Sequence, residues 1–270
     1  TALTFRNLIG DLYPHYHLCL DHKRTPRAQD LTLAIATLIR KDVAQYTTRL
    51  DPTLAASEAP MVTEELLRGR LLIFRARPPD QKHAIYLVNV YLPTVGGPQG
   101  GKDRQQLLEF LTALGVQVTS EGAYWLIQGD LNATTNGRRQ GYVATVDNTT
   151  QEGLLRIQIA DADRELEEFV RAEHLHAYVP SAPFSWQASL SGKMAALDHT
   201  LASTSLRGGQ KDTGAFIWFP ALTLDHAMMV VRLDRAMWAP RLQLTKGRPP
   251  PPPGQGPIDF SKSVSYTHLR

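Results

Sequence analysis

The chain predicts an α/β fold in which two packed β-sheets are flanked by helices. Three observations carry that reading. Strand-like apolar runs outnumber helical stripes along the sequence. Tyr86 to Leu92 is apolar on both faces except at Asn89, as a strand covered on both sides is, and Tyr124 to Ile127 is a short, strongly apolar run of the kind that fills a central strand. With 270 residues and 43% apolar content, the chain can bury a full core as a single unit.

The elements follow in order. Leu31, Leu33, Ile35, Thr37 and Ile39 alternate with the period of two that marks a strand over 31–39. Further strands are expected near 70–76, 83–92, 123–129, 198–204, 214–219 and 227–233. Leu107, Leu108, Leu111 and Leu114 make a helical stripe over Arg104 to Leu114. A second helix, Asp161 to His176, carries Leu166, Phe169, Val170 and Leu175 on one stripe, with Asp161 as its N-cap. Residues 1–234 form the globular domain and 235–263 a basic, Pro-rich linker. Its five consecutive prolines have polyproline II character and join no packed core. Residues 264–270, Val264-Ser265-Tyr266-Thr267-His268-Leu269-Arg270, resemble one reading frame of a sequencing adapter and are expected to be library read-through. A genomic reading frame encoding the same heptapeptide would refute that.

Composition narrows the function classes. A net charge of +3 permits nucleic acid binding without demanding it. The basic clusters are His22-Lys23-Arg24, Arg138-Arg139 and Arg235 to Arg248, all read as solvated surface, with Arg138-Arg139 best placed for a phosphate. The lone Cys19 excludes an intrachain disulfide and a thiolate zinc site, and points to a reducing, intracellular compartment. No apolar run approaches the roughly 20 residues that span a bilayer.

Polar residues at strand ends carry the chemistry. Tyr124 to Ile127 is strongly apolar, Gly129 ends the run, and Asp130 and Asn132 follow with one apolar residue between them. Extended backbone would put both on one face; an Asx-rich turn, in which they bond only their own backbone, is the competing reading. Two Asp-His pairs come later, Asp198-His199 and Asp225-His226, each opening a strand-like run. At an irregular strand start both members of a pair reach one site; a surface turn is the plainer alternative. Gly96 to Lys102 fits the phosphate-loop pattern G-x-x-x-x-G-K. Asp103 stands where a Ser or Thr should hold Mg²⁺, and Pro98 removes a backbone donor, so a surface loop is the better reading.

Taken in order, Asn89-Val90-Tyr91-Leu92-Pro93, Gly129-Asp130-Leu131-Asn132, Phe184-Ser185-Trp186 with Ala196 to Ser203, and Leu224-Asp225-His226 resemble the motifs of the endonuclease/exonuclease/phosphatase superfamily. These are Mg-dependent phosphodiesterases that include abasic-site endonucleases and the endonuclease domains of non-LTR retrotransposons. The resemblance covers roughly residues 1 to 234 and implies a four-layered α/β sandwich. Ala196 replaces the family's Arg and Leu224 its Ser. The family's opening strands, with an Asn and then the metal-binding Glu of an L-Q-E block, have no match before Asp30. The chain therefore reads as a fragment beginning just downstream of that Glu.

The resemblance implies in-line attack of water on a phosphodiester, with Mg²⁺ or Mn²⁺ as cofactor. It assigns His226 as phosphate donor or base, oriented by Asp198. Asp130 is the acid/base and a metal ligand, Asn132 and Tyr91 are donors to the phosphate, and Asp225 is a metal ligand. His199 stands for a family aromatic and is expected to pack. The leading function is a retroelement-type nucleic acid endonuclease acting on DNA, nuclear if so, with a further domain joined beyond the linker. A phosphoinositide phosphodiesterase of the same fold is the alternative, although the chain shows no exposed aromatic membrane hairpin. A non-catalytic remnant is the third reading. Magnesium-dependent cleavage of duplex DNA is expected to be weak in this chain and much stronger in one extended upstream by a natural Glu strand. Equal nicking rates in the two would mean that another carboxylate supplies the ligand.

Overall fold

The computed structural model describes residues 15–23, 33–52, 62–77, 81–95, 99–135, 137, 139–140, 151–178, 184–188, 191–206, 213–217, 226–232 and 265–267. In chain order these give β1 (Tyr16–Lys23), β2 (Leu33–Arg40), α1 (Lys41–Ala44), β3 (Thr47–Leu50), α2 (Glu64–Leu67), β4 (Leu71–Ala76) and β5 (Ile85–Val90). There follow α3 (Gly100–Ser120), β6 (Tyr124–Asp130), β7 (Arg139–Gln140), α4 (Gln151–Ala172), β8 (Leu175–Ala177), β9 (Trp186–Gln187), β10 (Met194–Ala195), β11 (Asp198–Ser203), β12 (Thr213–Ile217), β13 (Met228–Arg232) and β14 (Ser265–Thr267).

A six-stranded mixed sheet is the centre of the fold, in the order β3-β4-β5-β6-β11-β8. β5 and β6 run parallel and the other pairs are antiparallel. The parallel pair needs a crossover, and α3 supplies it. Leu107, Leu111 and Leu114 from α3 and Leu166 and Phe169 from α4 bury one face of the sheet against Ile73, Val88, Trp125 and Ile127. Each fully buried Leu of that stripe contributes roughly 1.5–3 kcal/mol of transfer free energy.

The other face of the large sheet receives the smaller one. β1 and β2 form an antiparallel hairpin with Tyr16 opposite Arg40 and Lys23 opposite Leu33. Ile35 and Ile39 from β2 pack on Leu72 and Phe74 of β4. Asn89, the polar exception in β5, points into this inter-sheet layer, where its Nδ2 donates to the Ala36 carbonyl at 2.8 Å and Thr37 Oγ1 at 3.1 Å. A buried amide must find partners, and these fix the register between the two sheets. The predicted class, two packed sheets with flanking helices, is what forms.

The first long helix exceeds its predicted span at both ends, since its stripe marks only the buried centre. The second begins earlier and stops earlier than predicted: it runs from Gln151 to Ala172, so Asp161 lies inside it and is no N-cap, and Leu175 leaves the helical stripe for β8. α3 begins at Gly100, so Gly100, Gly101 and Lys102 are helical and form no phosphate loop; residues 96–98 lie outside the described set. β1, β3 and the two-residue strands β7, β9 and β10 were not foreseen. Ser265–Thr267, within the heptapeptide read as an adapter, forms β14 on the free edge of β2.

Candidate active site

Strand ends converge at one edge of the large sheet. β5 and β6, being parallel, exit on the same side, and β11 enters there with Asp198 directly opposite Asp130. Gly129 makes the convergence possible. Its φ is +148°, and a Cβ placed there would lie 1.8 Å from the Val90 carbonyl oxygen, so the backbone of β5 crosses where other residues carry a side chain. Leu92 N–H then bonds the Asp130 carbonyl at 2.9 Å and Leu131 N–H the Leu197 carbonyl at 2.9 Å.

Two carboxylates opposite one another in a sheet repel, and His226 lies against both. Its Nδ1 is 2.8 Å from Asp198 Oδ2, and its Nε2 is 4.0 Å from Asp130 Oδ2. Both carboxyls are buried, at 6% and 1% exposure, and the ring, when protonated, sets a positive charge against them, as the Arg104 guanidinium does for Asp130. Trp186 forms an isolated bridge with His226, and Ala227 N–H bonds the Ser185 carbonyl, which gives the irregular strand entry expected before β13. Buried Ser185 also accepts the N–H groups of Leu197 and Asp198 through its Oγ, at 2.9 and 3.0 Å, and so places Asp198.

Asp130 and Asn132 meet by a different route from the one expected. The extended backbone does not persist: Asn132 has φ +47°, so strand periodicity cannot be what aligns them. Asp130 Oδ1 instead accepts Asn132 N–H at 2.9 Å, an Asx turn, and that turn folds the Asn132 amide back. Asn132 Nδ2 donates to Asp130 Oδ2 at 3.1 Å and to the Leu92 carbonyl at 2.8 Å. The turn was the competing reading, and it is the device that assembles the site.

Tyr91 leaves β5 at the same edge, its N–H on the Arg70 carbonyl at 2.8 Å and its ring 5.6 Å from the Arg70 guanidinium carbon. Asp225 lies outside the described residues, as does Arg138. Arg139, the other half of the basic pair read as solvated surface and as the cluster best placed for a phosphate, turns inward: its Nε and Nη2 grip Asp163 at 3.0 and 2.7 Å. His199 does more than pack. It is buried with Nε2 2.7 Å from the Ala133 carbonyl.

Arg104 is the residue that sequence reasoning passed over. It is 0% exposed, and it donates from Nη1 to the Leu131 carbonyl at 2.6 Å, directly beneath the Asp130 turn. The signal was present: Arg104 falls on the stripe of Leu107, Leu111 and Leu114, where a charge needs a buried partner.

Among the described residues no three His, Cys, Asp or Glu side chains are placed to hold a metal ion. Both Asp130 oxygens accept from Asn132, and Asp198 Oδ2 is taken by His226. The described donor set does not make a metal centre by itself.

Burial pushes the His199 imidazole below its ordinary 6.5, outweighing the Ala133 carbonyl and the Asp198 and Asp130 carboxylates, which pull the other way. The folded chain thus refuses a proton that the unfolded chain takes, and stability is lost as pH falls below 6.5. Urea midpoints should drop from neutral to mildly acidic pH, and His199→Asn should flatten that dependence; parallel curves for the two proteins would remove His199 as its source.

By sequence the chain matches no family model and none of the curated proteins. By structure it is similar to the catalytic domain of APE2 from Xenopus laevis, with TM-score 0.57, 16% identity, and 84% of this chain and 80% of that one covered. The 3′ phosphatase NExo from Neisseria, bound to a product DNA hairpin, matches with TM-score 0.54 and 14% identity over 86% and 94% of the two chains. The AP endonuclease LMAP from Leishmania major matches with TM-score 0.54 and 16% identity over 79% and 68%. These are likenesses of fold.

Proposed function

We infer that this chain, which has the fold of the endonuclease/exonuclease/phosphatase superfamily, hydrolyses phosphodiesters in nucleic acid, as a retroelement-type endonuclease. The observation that carries the reading is the histidine set against two carboxylates, His226 at 2.8 Å from Asp198 and 4.0 Å from Asp130, at an edge where strand ends converge. The solved neighbours support the reaction class: one is an AP endonuclease, and another is a phosphatase held on product DNA. The retroelement type rests on Phe184-Ser185-Trp186 ahead of the Asp198 block and on the Pro-rich segment after the domain.

In such a reaction a water oxygen bonds phosphorus, the bond from phosphorus to the opposite oxygen breaks, and the water's proton leaves to a base while the departing oxygen takes one. With Nδ1–H given to Asp198, His226 exchanges protons at Nε2, the nitrogen that faces Asp130. Asp130 is the second acid/base, held by the Asn132 amide. Tyr91 stands at the same edge as a phenol donor to the phosphate. Asp198 keeps the ring in one tautomer and steadies its charged form. Mg²⁺ or Mn²⁺ enters this reading through the motif resemblance of Asp130 and Asp225 alone, because the described residues do not complete a metal centre.

A substrate panel tests the proposal: supercoiled plasmid, a duplex with one abasic site, and phosphoinositide vesicles, each with and without Mg²⁺ or Mn²⁺. Nicking of either DNA supports it, and a preference for the abasic duplex would replace the retroelement type by repair. Turnover of lipid with silence on DNA would overturn the nucleic acid reading.

A further inference from the structure

The turn between Asp130 and Thr134 is fixed peptide by peptide by three elements and by Leu92, just past the end of β5. Arg104 of α3 bonds the Leu131 carbonyl, Asn132 bonds back to Asp130 and across to Leu92, His199 of β11 meets the Ala133 carbonyl, and Asp163 of α4 takes the Thr134 N–H at 2.7 Å and its hydroxyl at 3.1 Å. Behind these lies an array of alternating charge. Asp163 also receives the bidentate fork of Arg139, with side-chain exposures of 17% and 12%. Arg104 Nη2 donates to the Ala162 carbonyl at 3.3 Å, and its Nε is 3.6 Å from Glu165 Oε2.

Two features make this array more than packing. Withdrawing ion pairs from water costs about what their attraction returns, so apolar side chains of similar size would stabilise the fold as well or better. What such pairs supply is a single geometry, the bidentate Arg–carboxylate fork above all. The geometry in demand is here an uncommon one. Asn132 has φ +47°, in the left-handed region that Asn enters more readily than other L-residues but that lies off the path of the strand before it, so the turn must be held there. If that turn relaxed, Asp130 would lose both Asn132 donors and the Asn132 amide its place beneath the substrate edge.

We propose that Arg104, Asp163 and Arg139 form a positioning unit for the Asp130–Asn132 turn, with Arg139 acting on catalysis through Asp163 and not by contact with a substrate phosphate. The assignment rests on the nuclease reading of the same site. It also explains why a basic residue just after the turn faces inward at Asp163.

Arg139→Ala and Asp163→Asn test it, with Arg139→Lys as the milder change should either fail to fold. Misplacing reacting groups by an ångström costs on the order of 10²-fold in rate, so kcat on a labelled DNA duplex should fall roughly 10–100-fold in Arg139→Ala. KM should stay within about threefold, and the salt dependence of DNA binding should keep its slope, since no phosphate contact is lost. In the protein without DNA, amide exchange at Asn132, Ala133 and Thr134 should quicken while that of the β5–β6 ladder does not. A raised KM with a shallower salt slope would make Arg139 a phosphate contact and overturn the proposal. Unchanged exchange in the turn would overturn it equally. The rates are read in the chain extended upstream by a natural Glu strand, so failure of the nuclease reading is distinguishable: it shows as no cleavage of DNA by that extended chain, whereas the exchange measurement needs no activity.

Discussion

In the chain extended upstream by a natural Glu strand, His226→Ala should lower single-turnover nicking of plasmid DNA by roughly 10²–10⁴-fold at fixed metal concentration, the usual scale for a proton-transfer group acting in the transition state. Asp198→Asn should fall with it. The Asp198 carboxylate bonds Nδ1 at 2.8 Å and fixes which nitrogen faces Asp130, so an amide there presents the wrong partner for half of its orientations. The double variant should be little worse than either single one, because the pair works as a unit. Additive losses would mean that the two residues act separately. His199→Phe is the contrasting case. It removes the partner of the Ala133 carbonyl, a buried group whose loss of a hydrogen bond costs about 1–3 kcal/mol, so the expected damage is to stability. If His199 instead proved the costly residue for rate and His226 the silent one, the assignment of the site would be inverted.

Gly129→Ala should destabilise the fold by about 3 kcal/mol or more, the sum of a forced overlap and a strained backbone. The added methyl would sit 1.8 Å from the Val90 carbonyl oxygen and 2.8 Å from its carbon, both main-chain atoms that cannot swing aside. Relief requires β5 to part from β6, which breaks the bond from Leu92 N–H to the Asp130 carbonyl at the candidate site. Gly101→Ala is the control. A Cβ there meets nothing within 4 Å in the first turn of α3, so that change should be neutral or stabilise by up to about 1 kcal/mol. Urea unfolding monitored by tryptophan fluorescence separates the two through midpoints at a common slope. A Gly129→Ala midpoint equal to wild type would show that the crossing of β5 is looser than drawn.

The legible parts of this fold were those with one period and one environment. β6 was readable because Trp125 and Ile127 face the helices while Tyr124 and Leu126 face the opposite side, all in apolar surroundings. β1 escaped notice although Tyr16, Leu18 and Leu20 alternate with His17, Cys19 and Asp21; the run ends in the charged His22-Lys23-Arg24 and takes its pairing from β2. Strands as short as Trp186–Gln187 carry no periodicity at all; their pairing is set by Ser185 and Ala195 on neighbouring segments. The same contrast holds at the site. His226, Asp198 and Asp130, which the structure brings together, could be picked out as candidates because short polar words at strand ends are visible in one dimension. The Asx turn that joins Asp130 to Asn132 was weighed as the rival of a site and is its scaffold. Arg104 and Asp163 were missed because their value comes from what meets them across the fold, and nothing local to either helix announces the partner.

The order in which the chain supplies its parts has a consequence for activity in time. Every strand of the large sheet, from β3 to β11, lies before residue 204, whereas the histidine arrives with the entry to β13. Domains assemble from the N-terminal side as they leave the ribosome, and the parallel β5–β6 pairing, which waits on α3, is of the slow, non-local kind. A nascent chain can therefore close its principal sheet, bring Asp130 opposite Asp198, and still lack the imidazole that lies against both. On the nuclease reading, cleavage would wait until the segment that carries His226 docks on Trp186, and a chain interrupted after β11 would be chemically silent.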